Sequence, residues 1–206
     1  MISFWEFRQQ FFALGCVNIH QILAWHPAFD RNNLTRWTRK GLLLRLRAAY
    51  YAFPEYLHEP GYAHYVAGKI YRPSYISLHT ALSFYGMIPE SVVQITSVSS
   101  LKTASFVNDF GEFSYRSVKE ELMFGYVPQA LSGGQSFLLA TPEKALLDLL
   151  YLYPFYDDAA AMEGLRLDEE FLQDKLDMEQ LEGYRLRFHS KALDRRIKQL
   201  THYYSL

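Results

Sequence analysis

Phe4, Phe7, Phe11 and Leu14 recur at the helical period, and the spacing predicts a first helix with Ser3 as its cap and Gly15 as its stop. In NIHQILAW, Asn18 is placed to cap a second short helix that turns Ile19, Ile22 and Leu23 inward and ends before Pro27. The next stretch, DRNNLTRWTRKGLL, sets Leu34 and Trp37 three apart on one face and turns Arg31, Asn32, Thr35, Arg36 and Arg39 elsewhere. Asp30 suits its N-cap and the positive end of the helix dipole, and Gly41, just past Lys40, suits its C-cap. Beyond Gly41 the period changes to two. LLLRLRAAYYAF then predicts two strands around a turn at Arg47, Ala48 and Ala49. Short helices, a tight turn, an Arg- and Asn-rich helix and a hairpin together predict a winged helix-turn-helix.

FPEYLHEPGYAHY, with Pro54, Pro60 and Gly61, marks a domain junction, which gives residues 1–57 to the winged helix and residues 58–206 to a mixed α/β domain, α+β overall. In the second part Leu78, Ala81, Leu82 and Tyr85 share a helix face that Ser77 caps and Gly86 with Pro89 closes. VVQITSVSS predicts a strand, NDFGEFSYRSV a strand pair about a tight turn, and GQSFLLAT another strand. TPEKALLDLLYLY begins with Thr141 as N-cap, Pro142 at the first helical position and Glu143 in the first turn. It is apolar nearly all round, so it belongs in the interior, where Asp148 needs a partner and Lys144 lies within reach. RLDEEFLQDKLDMEQLEG is acidic with short helical character, and SKALDRRIKQLTHYY is a basic final helix through Lys191, Arg195, Arg196 and Lys198.

The chain of 206 residues is half apolar, enough for a sizeable core. Its net charge of −1 argues against a wholesale polyanion-binding coat, yet the charge is unevenly spread. Up to Glu55 there are seven cations (Arg8, Arg31, Arg36, Arg39, Lys40, Arg45, Arg47) against three acids, while the remainder is acidic. A basic head on an acidic body fits a small DNA-binding module joined to a part of other purpose. Cys16 is the lone cysteine, which excludes an internal disulfide and a Cys-based zinc site. No signal peptide or apolar run of membrane length is visible, and the expected location is cytoplasmic.

The cations of residues 31–40 admit a bland reading as a solvated face. Four cations on that helix and two on the adjacent hairpin, however, converge on one side and favour DNA. Arg31, Asn32, Asn33, Thr35 and Arg36 are candidates for base edges, because Arg and Asn can make bidentate contacts to guanine and adenine. Arg39, Lys40, Arg45 and Arg47 are candidates for phosphates, which position without specifying. Four neutralised phosphates imply that log affinity falls with log salt at a slope of roughly −3 to −4. Trp37 reads as core rather than as a base-stacking ring.

Enzymatic readings find little support, and no cofactor or metal is expected. The seven histidines are scattered, without a His-x-x-x-His or Glu-flanked pair. Glu120 with Glu121 and Asp157 with Asp158 are adjacent, so regular structure points them apart. LSGGQS lacks the lysine of a phosphate loop, and there is no Gly-x-Ser-x-Gly elbow. A nuclease would have to be forced from Glu112 with Glu143 and Lys144. A ligand-responsive regulator, with a pocket lined by tyrosines in the second part, is the other alternative.

PSYISLHTALSFYGMIPE, ITSVS, FGEFSY and ATPEKALLDLLYLY, in that order behind a winged helix, resemble the AbiEi family, the antitoxins of type IV toxin-antitoxin systems of phage defence. The resemblance spans nearly the whole chain. It implies a repressor that binds double-stranded DNA at its own promoter and a second domain that opposes a nucleotidyltransferase-like toxin without a stable complex. It places the recognition helix at residues 31–40 and the wing at 42–53. Family wings carry Arg-Gly before the second strand where Ala48 and Ala49 stand here, which implies a wider turn or a different reach of the tip. Where positive φ is required, losing that glycine costs on the order of 1 kcal/mol.

Overall fold

Ser3 and Glu6 close a reciprocal capping box at the start of α1 (Phe4–Phe11): Ser3 Oγ accepts from the Glu6 amide at 3.2 Å, and Glu6 Oε2 accepts from the Ser3 amide at 2.7 Å. The computed structural model describes residues 2–90 and 92–206; Met1, which opens the expected 1–57 domain, and Ser91 lie outside the described residues. A 3₁₀ turn at Phe12–Leu14 comes after α1 and rotates Leu14 off the apolar stripe to the surface, where periodicity alone had put it with Phe7 and Phe11 in the core. Gly15 ends this turn at φ +71°, and a side chain there would also run into the Tyr62 hydroxyl.

A three-residue strand, β1 (Cys16–Asn18), precedes α2 (Ile19–Trp25), which Asn18 and Gln21 cap reciprocally. After α3 (Asn32–Arg39) come β2 (Leu44–Arg47) and β3 (Tyr50–Ala52), and the three strands pair antiparallel in the order β1-β3-β2. One face of this small sheet closes over Phe7, Ile22, Leu34, Trp37 and Phe53. Its other face is largely covered as well: Cys16, Leu46 and Ala52 belong to a second, larger core. The β2–β3 turn holds Ala49 at φ +70°, the left-handed region that favours glycine. Ala49→Gly is therefore expected to raise stability by about 1 kcal/mol in urea unfolding, the strain relieved outweighing the entropy glycine adds to the unfolded chain.

The expected junction is a 3₁₀ turn at Pro54–His58 that leads through Gly61 into α4 (Tyr62–Ile70), a helix the Pro-Gly signal concealed. The rest of the chain forms β4 (Ser74–Ile76), α5 (Leu78–Tyr85), β5 (Ile95–Ser99), β6 (Ala104–Asn108), β7 (Gly111–Ser117), β8 (Tyr126–Ala130), β9 (Ser136–Ala140) and α6 (Pro142–Leu152). Four further helices complete it: α7 (Ala159–Gly164), α8 (Glu169–Asp174), α9 (Met178–Arg187) and α10 (Lys191–Tyr203). The six strands make one mixed sheet in the order β6-β7-β5-β4-β9-β8, parallel at β5–β7 and β4–β9 and antiparallel elsewhere. Tyr115 Oη donates to the Ala67 carbonyl of α4, and Tyr75 Oη donates to Asp148 of α6. Tyr115 pairs with Ser97 and Tyr75 with Val98, adjacent residues of β5 that point to opposite faces, so α4 covers one side of the sheet and α6 the other. The overall class is α+β, as the sequence implied.

Thr141 caps α6 as expected, and Lys144 and Asp148 are hydrogen-bonded to each other with no exposure. Tyr75 Oη and Ser77 Oγ each donate to Asp148 Oδ2 at 2.8 Å, so Ser77 sits at the N-cap position of α5 but spends its hydroxyl on the buried carboxylate. The Lys144 ammonium lies 4.7 Å from the Phe124 ring centroid and 4.6 Å from that of Phe188. Burial draws the lysine below and the aspartate above their ordinary pKa values, each opposing the other's shift. On α10, Arg195 pairs with Asp157, and Arg196 is buried and donates to the Leu150 carbonyl, so half of the basic character of that helix is structural. No helix among the described residues is long and apolar enough to cross a membrane.

Candidate nucleic-acid interface

Helix α3 is anchored through Leu34 and Trp37, both buried, with the indole packed against Phe4, Phe7 and Phe29 at centroid distances of 5.3, 4.9 and 5.9 Å. Asp30 Oδ1 accepts from the Asn32 amide at 2.9 Å, so the start signal acts as read, one residue ahead of the assigned cap. At the other end Gly41 takes φ +69° and the Leu42 amide reaches back to the Trp37 carbonyl at 2.9 Å, a Schellman closure. With both ends fixed and one side buried, the outward face is determined. The rows Arg31-Thr35-Arg39 and Asn32-Arg36-Lys40 run side by side along it, and the polar side chains of both rows stand toward solvent.

No ion pair involves Arg31, Arg36, Arg39, Lys40 or Arg45 among the described residues. Elsewhere the cations are divided: Arg8 holds Glu55, Arg166 holds Glu90, and Arg185 holds Glu182 and Asp194, while Arg116, Arg187 and several lysines are in no ion pair among the described residues, so it is the clustering of free cations on one helix that sets α3 apart. An exposed helix stabilised by its own surface would offset its cations with carboxylates at i±3 or i±4, and α3 has none. The result is a half-cylinder of donors with uncompensated positive charge.

Two expected contact residues do not join this face. Asn33 is 2% exposed, and its Oδ1 accepts from the Arg36 guanidinium, so it orients Arg36 from beneath and cannot itself reach a base edge. Arg47 is half-buried and faces the second part: Nη1 donates to the Ile70 carbonyl at 2.6 Å, and the guanidinium stacks 4.3 Å from the Phe106 centroid and 5.1 Å from that of Tyr71. A bulge between Arg45 and Arg47 is the cause, because it breaks the alternation that would have kept them on one face. Where a wing is expected at 42–53 there is a short hairpin of β2 and β3. Its turn is tied down by the Ile19 amide donating to the Ala49 carbonyl at 2.9 Å, and the Leu46 carbonyl accepts from Asn108 Nδ2 of β6 at 3.1 Å. Arg47→Ala is thus expected to lower stability by about 1.5–3 kcal/mol in urea unfolding, through the lost charged hydrogen bond, while the salt dependence of any DNA binding stays as in the parent protein.

The face that remains on α3 consists of Arg31, Asn32, Thr35, Arg36, Arg39 and Lys40, with Arg45 exposed on β2. Its chemistry is donor-rich, cationic and convex, the complement of a groove lined with phosphates and base-edge acceptors. No protein-family model matches the chain, and no curated protein sequence matches it.

Proposed function

We propose that the protein is a winged-helix transcriptional autorepressor that binds double-stranded DNA at its own promoter and serves as the antitoxin of a type IV system, opposing a nucleotidyltransferase-like toxin. The observation that carries the DNA reading is the uncompensated cationic face of α3, held in place by Leu34 and Trp37. The order α1-β1-α2-α3-β2-β3 with the sheet order β1-β3-β2 supports the winged-helix reading, in which α3 would be the recognition helix. The antitoxin role is supported by the sequence resemblance of the second part. It predicts a nucleotidyltransferase gene directly downstream and relief of that protein's toxicity on co-expression.

Arg31, Asn32, Thr35 and Arg36 read base edges in this proposal, and Arg39, Lys40 and Arg45 hold phosphate. Three phosphates in place of four lower the expected salt slope to about −2.7. Fluorescence anisotropy with DNA from upstream of the gene, against scrambled DNA across a salt series, tests the proposal. Selective binding with that slope is the expected result, and weak binding without preference overturns it. Arg36→Ala is expected to cut the preference for the upstream DNA by about 1–3 kcal/mol, whereas Arg39→Ala weakens both DNAs alike and flattens the slope by about 0.9.

A further inference from the structure

Where α4 ends, the surface folds into two clefts that share Tyr65, Lys69 and Arg72. The larger, about 470 Å³, has apolar walls from Met123, Phe137 and Leu138 and includes the Tyr126 ring, which stacks on Tyr75. The smaller, about 250 Å³, opens toward Asn18 and Gln21 at the start of α2 and toward Tyr50 of β3. Both cations stand on a fixed base. The Tyr65 hydroxyl donates to the Leu14 carbonyl at 2.6 Å, Lys69 Nζ lies 4.7 Å from the Tyr65 ring centroid, and Arg72 Nε donates to the Gly68 carbonyl at 3.0 Å.

Neither Lys69 nor Arg72 forms an ion pair among the described residues, and unlike the other free cations of this part the two line the same cleft. Two neighbouring cations facing a half-enclosed apolar cleft repel each other, and one of them is partly desolvated. Burial and the charge of Arg72 together hold the Lys69 amine below its ordinary pKa. An anion placed between them removes both penalties, and the cleft has the size and the lining of a small-molecule site with a few convergent polar groups.

We propose that this cleft binds a small organic anion, its phosphate or carboxylate between Lys69 and Arg72 and its flat apolar body against Met123, Phe137 and Tyr126. The site stands whether or not the chain binds DNA. The smaller cleft, on the far side of the same two cations, is the one that reaches the α2 cap and β3. Calorimetric titration of the full chain with phenyl phosphate, inorganic phosphate and benzyl alcohol tests it. Phenyl phosphate is expected to bind at about 1 mM or tighter and at least about tenfold better than inorganic phosphate, with no heat from benzyl alcohol. Lys69→Gln with Arg72→Gln is expected to reduce phenyl phosphate binding at least about tenfold, and Arg72→Gln alone, at an exposed side chain, to reduce it measurably without changing the melting temperature. Absence of phenyl phosphate binding, equal binding of benzyl alcohol, or undiminished binding by both variants overturns the assignment.

Discussion

Asp148→Ala is expected to destabilise the protein by about 3–5 kcal/mol, a large part of the roughly 5–15 kcal/mol typical of a domain, and to do so through the groups it abandons. Lys144 would be left without a counter-charge at a point with no solvent exposure, and the hydroxyls of Tyr75 and Ser77 would both lose their acceptor. The attraction within the pair is a poor guide to this cost, because desolvating two charges consumes most of what their attraction returns. A double replacement discriminates between the two accounts. Lys144→Met with Asp148→Leu removes both charges of the pair, leaving only the two hydroxyls unmet, and is expected to be more stable than Asp148→Ala alone in urea unfolding. If the single variant costs less than about 1 kcal/mol, the buried pair is not what holds α6 to β4.

Trp37→Ala is expected to cost about 3–5 kcal/mol as well, and to abolish the proposed DNA binding along with it. The indole is 5% exposed and meets three phenyl rings, so truncation opens a cavity directly beneath the cationic face. Trp37→Phe separates support from contact. A phenyl ring keeps most of the packing, so a loss near about 1 kcal/mol with DNA affinity retained is expected if the residue acts only as an anchor. A folded Trp37→Phe protein that no longer binds DNA would mean that the indole itself reaches the nucleic acid.

The elements legible in the sequence are those set by local chemistry. Asp30 and Gly41 bounded α3, Thr141 and Pro142 fixed the start of α6, and Lys144 was matched with Asp148 by helical spacing alone. Such signals are complete within a few residues. The features that escaped depend on distant parts of the chain. Strands β1 and β4 are three residues long, buried at nearly every position and paired with strands distant in the chain rather than across a tight turn, so no alternation could reveal them. Helix α4 was hidden by Pro60 and Gly61, which mark a break in the chain but carry no sign of the helix beyond it. Arg47 was placed with Arg45 by period-two counting, and one bulge sent it to Phe106 instead. Lys69 and Arg72 carry no motif, and their significance appears only once the cleft that they share has closed around them.

The small sheet that faces helices on one side and the larger core on the other also removes a joint. Cys16, Leu46 and Ala52 lock the first part to the second, with Arg47 and Asn108 as bolts across the seam, so the chain has no slack about which α3 could swivel. In the proposed complex with DNA, α3 would keep the angular bearing of the body that carries it. Two copies on neighbouring half-sites would hold their bodies in a fixed phase around the duplex, and inserting about 5 base pairs, half of the roughly 10 in a helical turn, would swing one body to the opposite side of the DNA rather than let a tether absorb the change.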